Sequence, residues 1–261
     1  MTTPVFQVRG VSKEYSGTPP VRAVDSVELE IGDGEFVVLL GPSGCGKSTL
    51  LELLAGLQQP SGGEVLFDGE VLSHPDRRLG VVFQDASLFP WRTVQRNVEL
   101  GLELRGVPAV ERRSRAREQL AAVGLAGFER SYPHQLSGGM RQRVGIARVL
   151  ASEPEVLLMD EPFGAVDHLT RIRLQEELLA LWEQHRRTVV FVTHDVGEAV
   201  FLADRIILLS PRPGRIFREF VIDEPRPRTR GDLSLLEREA EVYRALHELD
   251  RRAGIDEEVV A

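Results

Sequence analysis

The chain has 261 residues, enough for one large core, and a net charge of −8, which argues against the basic excess of a nucleic-acid binder. With 42% apolar and 28% charged residues it has a globular rather than a disordered composition. A single cysteine, Cys45, excludes an internal disulfide and a cysteine-rich metal site.

The start, Met1-Thr2-Thr3-Pro4, carries neither the basic flank nor the apolar stretch of a secretion signal. Val5–Arg9 and Val24–Ile31 read as strands, with a turn at Gly32-Asp33-Gly34. Phe36–Leu40 is a continuous apolar run of strand length, the pattern of a strand central in a covered sheet. Such runs fall far short of the roughly 18–20 residues that cross a bilayer. Lys47–Leu57 follows as a helix interrupted near Gly56, and Glu64–Phe67 and Glu70–Leu72 form a hairpin around Asp68-Gly69. From about residue 92 to 150 the pattern is helical, with arginine-rich faces around Glu111–Leu120. Strands return at Glu155–Met159, Thr188–Val192 and Arg205–Leu209, separated by helical sequence. Alternation of this kind predicts an α/β fold with a parallel or mixed core sheet and an inserted helical lobe. Pro225–Arg230 reads as a linker into a last helix, with a capping box at Ser234 and Glu237. Leu236, Ala240, Tyr243 and Leu246 give that helix one apolar face, for the core or for another subunit.

Gly41-Pro42-Ser43-Gly44-Cys45-Gly46-Lys47-Ser48, followed by Thr49, fits the phosphate-loop pattern G-x-x-x-x-G-K-[ST] between a strand and a helix. Its glycines let successive backbone N–H groups face phosphate oxygens, and the helix adds its positive N-terminal end. Lys47 is placed for the β- and γ-phosphates and the Ser48 hydroxyl for Mg²⁺. Cys45 reads as a small filler, with a low-pKa nucleophile the alternative.

Val156–Met159 is an apolar strand ending in Asp160-Glu161. Asp160 is placed to hold Mg²⁺ and Glu161 to orient and deprotonate an attacking water. Thr193-His194-Asp195 ends the next strand, where His194 is a candidate for the γ-phosphate. A second anion site is written in Leu136-Ser137-Gly138-Gly139-Met140-Arg141-Gln142-Arg143, with Ser137 as N-cap and two glycines exposing N–H groups.

These motifs, in this order, resemble those of the ABC ATPases across nearly the whole chain. The resemblance implies a P-loop fold with an N-terminal antiparallel β lobe, with ATP and Mg²⁺ as cofactors. It implies a head-to-tail homodimer in which Ser137, Gly138 and Gly139 close over ATP bound to the opposite copy. Tyr15 matches the residue that stacks on adenine, Gln84 the glutamine that senses Mg²⁺ and takes part in catalysis, and His194 the switch histidine. Gly164-Ala165-Val166-Asp167 matches the loop that crosses the dimer interface, which makes Asp167 a nucleotide-side residue. Met140 and Val166 stand where many members have Gln and Leu. Met140, with Leu88-Phe89-Pro90-Trp91 and Ser210-Pro211-Arg212-Pro213-Gly214-Arg215-Ile216, looks like the nitrate/sulfonate/taurine importer subgroup.

The implied organisation is an ATPase domain over 1–221 and a linker with a C-terminal helix over 222–261. The implied partners are an integral-membrane permease, gripped by Asp85–Val94 with Trp91 exposed, and a solute-binding protein reached through the complex. The location implied is the cytoplasmic face of the membrane. A soluble ABC ATPase acting on DNA or ribosomes is the main alternative, but only about fifty residues separate Gln84 from Leu136, too few for a long coiled coil. A P-loop kinase has no use for Leu136–Gly139.

Overall fold

The computed structural model describes residues 4–252 except residue 165, and excepting the side chains at 181, 184 and 185. The opening residues Met1-Thr2-Thr3 and Ala165 of the expected crossing loop lie outside the described residues. In chain order the elements are β1 (Phe6–Tyr15), β2 (Val21–Ile31), β3 (Phe36–Leu40), α1 (Lys47–Leu54), β4 (Gly62–Phe67), β5 (Glu70–Val71) and β6 (Leu79–Val82). Then come α2 (Val94–Val98), α3 (Leu100–Leu104), α4 (Ala109–Ala122), α5 (Gly138–Leu150), β7 (Val156–Asp160) and α6 (His168–His185). The chain continues through β8 (Thr188–Thr193), α7 (Val196–Leu202), β9 (Arg205–Leu209), β10 (Ile216–Val221) and α8 (Leu233–Arg252).

Two compact units share the chain, one running to Asp76 and resuming at Thr188, the other spanning Arg77–Arg187. In the first unit β2, β1, β4 and β5 form an antiparallel sheet in that order. The β4–β5 turn is Asp68-Gly69, with φ of 50° and 80°, the left-handed pair that a two-residue hairpin needs. A second sheet runs β10-β9-β3-β8. Its strand β3 pairs in parallel with both β8 and β9 and is buried at every position, which is why its sequence shows no polar alternation. In the second unit β6 and β7 pair in parallel, and α2, α3 and α4 pack against α5.

β6 and β10 are strands that the sequence reading did not anticipate. Leu79–Val82 is too short to show a period, and Ile216–Val221 carries Arg218 and Glu219 on an outer strand that, among the described residues, pairs with β9 alone.

The C-terminal segment corrects two expectations. α8 starts at Leu233, so Ser234 lies inside the first turn and does not cap it. Its buried face is Leu235, Val242, Ala245 and Leu249, not the expected stripe, of which Leu236 and Tyr243 are exposed. The cause is α7, against which α8 packs: amphipathic spacing allowed either register, and the partner surface chose. The Pro/Arg-rich stretch is also more than a spacer. Arg228 is buried and donates to the carbonyls of Val200, Phe201, Ala203 and Ile222, satisfying the C-terminal end of α7. Burial pushes its pKa down to about 10.

Candidate functional site

In the first unit, the phosphate loop leaves the buried end of β3 and turns into α1. The β3–β8 register pairs Leu40 with Thr193, so Gly41 and His194 leave adjacent strands at the same end of the sheet. Lys47 is 5% exposed, and its ammonium donates to the carbonyls of Gly41 (2.7 Å) and Pro42 (2.9 Å). That charge is desolvated and held by two main-chain oxygens and, at 3.9 Å, the Cys45 sulfur, a poise suited to a phosphate. Gly46 caps α1 with φ 104° and offers no side chain, so the first amides of the helix keep their capacity for an anion. Ser43, Gly44 and Ser48 are exposed, and Pro42, Gly46 and Thr49 are partly so. The loop thus has the form and the electrostatics that a triphosphate requires.

Cys45 is buried, and burial pushes its thiol pKa up. It is the filler rather than the nucleophile. Tyr15 arrives from the end of β1, and its hydroxyl lies 3.3 Å from the Thr49 hydroxyl, with the Lys13 ammonium 5.4 Å from its ring centroid. His194 is exposed and fixed on both sides. Asp195 N–H donates to the Thr193 hydroxyl, which itself donates to Glu198 (2.6 Å), while the Asp195 carboxylate caps α7 at Glu198 N–H.

A buttress behind the phosphate loop was missed as a functional feature. Ser210–Ile216 marked a subgroup in the sequence; in the structure it packs on the loop. Arg212 Nε donates to the Gly44 carbonyl (3.3 Å), and Gly214 exchanges backbone hydrogen bonds with Ala23 and Asp25. A Cβ at Gly214 would lie 2.1 Å from the Cys45 carbonyl oxygen, so only glycine fits there. Arg215 pairs with Asp25 through Nε (3.0 Å) and Nη2, and Arg22 reaches the other carboxylate oxygen (3.2 Å). The hydrogen bond from Arg215 is the largest cause holding the Asp25 carboxyl below its usual value.

In the second unit, the β6–β7 register pairs Val82 with Met159, so Gln84 and the Asp160-Glu161 pair follow neighbouring strand ends. Glu161 has φ 42°, a left-handed conformation that costs an acidic residue about 1–3 kcal/mol and tends to persist where function holds it. Its carbonyl accepts from Gly164 N–H (3.1 Å). Ser137 caps α5, as read from the sequence, with its hydroxyl accepting from Met140 N–H (3.2 Å), and Gly138 and Gly139 form the first turn. Asp167 caps α6 by accepting from Thr170 N–H (3.1 Å), which is the main cause of its lowered pKa. Among the described residues no cluster of three or more His, Cys, Asp or Glu could hold a metal. Gln84 and Asp160 in this unit, like Ser48 in the first, each carry an oxygen of the hard kind that suits Mg²⁺.

The family model described as ABC transporter matches residues 24–164, more than half of the chain. The chain belongs to the ABC transporter family. This ABC ATPase is 53% identical over 224 residues to an uncharacterized ABC transporter ATP-binding protein of Methanocaldococcus jannaschii, covering 86% of this chain and 84% of the relative. It is 51% identical over 212 residues to the taurine import ATP-binding protein TauB of Yersinia pestis, covering 81% and 82% of the two chains. For the protein of the same name in Pseudomonas syringae the identity is 48% over 229 residues, covering 87% of each. Among solved structures, a dimeric ATP-binding cassette in a post-hydrolysis state with ADP and Pi superimposes at a TM-score of 0.77 with 39% identity. It covers 83% of this chain and 98% of that one. The ABC ATPase fold, ATP as ligand and ATP hydrolysis are thereby established for this chain. No helix among the described residues is long and apolar enough to cross a membrane.

Proposed function

We propose that this ABC ATPase drives an importer for a small anionic solute, of the aliphatic sulfonate, taurine or nitrate type, through a separate membrane permease. The observation that carries the solute class is the identity of about half to two taurine import ATP-binding proteins, each covering more than four-fifths of this chain. A solute-binding protein would deliver the solute to the permease. The permease would hold this subunit at the cytoplasmic face.

The proposed roles follow the chemistry of each group. Lys47 and the amides of Gly41–Ser48 bind the β- and γ-phosphates, and Tyr15 stacks on the adenine. Ser48, Gln84 and Asp160 would hold Mg²⁺, which when bound neutralises charge on the phosphates. Glu161 orients and deprotonates the attacking water with help from Gln84, and His194 contacts the γ-phosphate. Ser137, Gly138 and Gly139, with Asp167, act on the nucleotide of a second copy in a head-to-tail dimer. The dimeric state of the solved relatives supports that arrangement. Trp91, 70% exposed and 5.2 Å from Phe89 between ring centroids, faces the permease.

The test is growth of cells carrying only the Glu161→Gln form on a panel of sole sulfur and sole nitrogen sources. Failure confined to taurine or alkanesulfonates supports sulfonate import, and failure confined to nitrate supports the nitrate branch. Normal growth on all of them overturns the solute assignment and leaves the ATPase standing.

A further inference from the structure

The segment after Gln84 looks like a loop by sequence, yet side chains grip it along most of its length. Three residues on successive turns of α5 face its first half. Gln142, 3% exposed, donates to the Phe83 carbonyl (2.9 Å). A Cβ on Gly145 would meet the Ala86 Cβ at 3.3 Å, so glycine lets helix and loop touch backbone to backbone. Arg148 donates to the carbonyls of Ala86 (2.7 Å) and Ser87 (3.0 Å). Burial lowers the pKa of Arg148. Here an arginine is spent on two main-chain oxygens, although an exposed loop could have taken those hydrogen bonds from water.

The second half is held by Asn97 of α2, which is fully buried. Its side chain accepts from Phe89 N–H (2.8 Å) and donates to the carbonyls of Phe89, Arg92 and Thr93 at 3.0–3.2 Å. α2 in turn packs on α5. Within this second grip, between Phe89 and Arg92, the loop displays Trp91.

We propose that Arg148, with Gln142 and Asn97, is the positioning residue that locks the loop 83–93 to α5, so that signature helix and permease-facing loop move as one rigid piece. The inference rests on the reading of Trp91 as a permease contact. Any displacement at Ser137–Gly139 would then reach Trp91 through the length of α5 rather than through a flexible hinge. Arg148 touches neither nucleotide nor permease in this scheme; it acts through the loop carbonyls it holds.

The experiment compares wild type, Arg148→Met, Arg148→Lys and Trp91→Ala in the transporter co-purified with its membrane partner and reconstituted in liposomes. Arg148→Met keeps the aliphatic stem and removes both charge-assisted hydrogen bonds. Expected are basal ATPase activity and ATP KM of the isolated subunit within twofold of wild type. Permease-stimulated hydrolysis should fall at least about tenfold, as for loss of one charged hydrogen bond, with partial rescue by Arg148→Lys. Full stimulation in Arg148→Met while Trp91→Ala is uncoupled overturns the linkage and keeps the docking reading. Full stimulation in Trp91→Ala instead overturns the docking reading. Hydrogen exchange on the wild-type complex, with and without ATP, is independent of whether Arg148→Met folds. The amides of 83–93 and of α5 should change protection together, and a change in one without the other overturns the rigid piece.

Discussion

Two helices of this protein begin at glycine-rich motifs, α1 at the phosphate loop and α5 at Ser137, and they end their backbones differently. The N-cap of α1 is Gly46, which has no side chain to give, and a Cβ there would meet the Ala23 carbonyl oxygen at 2.7 Å. The N-cap of α5 is Ser137, whose own hydroxyl satisfies Met140 N–H. The start of α5 thus has one of its orphan amides satisfied from within the chain, while α1 has no side-chain cap at all. On the proposed function, this is the contrast expected between a site that grips ATP in a single subunit and one that meets it only when a second copy closes. Their surroundings agree: Lys47 and the Arg212–Arg215 buttress lie behind the first loop, whereas α5 is tied by Gln142 and Arg148 to the segment after Gln84.

The strongest way to break the comparison is at the catalytic step. Glu161→Gln should lower phosphate release by about 10²–10⁴-fold while ATP still binds, and sedimentation with ATP should show a trapped dimer. A persistent monomer would contradict the two-copy role of Ser137. Next in size, Lys47→Ala should weaken ATP binding by the isolated subunit by about 10–100-fold, measured by equilibrium binding, because a charged hydrogen bond to phosphate is lost. A smaller loss, about tenfold, is expected for Gly214→Ala, since the added Cβ would push the Cys45 carbonyl and distort the loop from behind. Ser137→Ala should leave that binding within twofold and cost about 1 kcal/mol of helix cap, a melting shift of roughly 2–4 °C. Equal losses of affinity for Lys47→Ala and Ser137→Ala would erase the distinction between the two sites.

The smallest effect concerns pH. Asp25 titrates below its usual 3.8 because Arg215 donates to it, so its contribution to the buttress is complete above that value and is lost as pH falls through the lowered one. Melting temperature should therefore show an Asp25-dependent drop only below about pH 4, absent in Asp25→Asn, with no change between pH 5 and 8 from this group.

The motifs were legible because each is written in local backbone geometry. A strand, a glycine turn and a helix start make a phosphate loop wherever they occur in that order, and β3 and the Asp68-Gly69 hairpin follow from equally local rules. β10 was missed since its alternation is broken by charges at a sheet edge, and the packed face of α8 was misread since two stripes on that helix were apolar enough to serve. The roles of Asp25, Asn97 and Arg148 had no signal at all: a lone polar residue in sequence does not reveal which carbonyls it will meet.

By itself, then, the sequence marked the motifs and the family: the phosphate-loop pattern, the Asp160-Glu161 pair and the helix start at Ser137. Tertiary structure alone decided what stands behind those groups. Ser210–Ile216 became a wall for the phosphate loop, Arg228 a cap for α7, and Gln142 and Arg148 a clamp on the segment after Gln84. The physical reason is range. A loop that binds phosphate is specified by φ, ψ and N–H direction over eight neighbouring residues, whereas the Arg148–Ala86 and Arg215–Asp25 contacts join residues 62 and 190 positions apart. Such pairs exist only after the chain has packed.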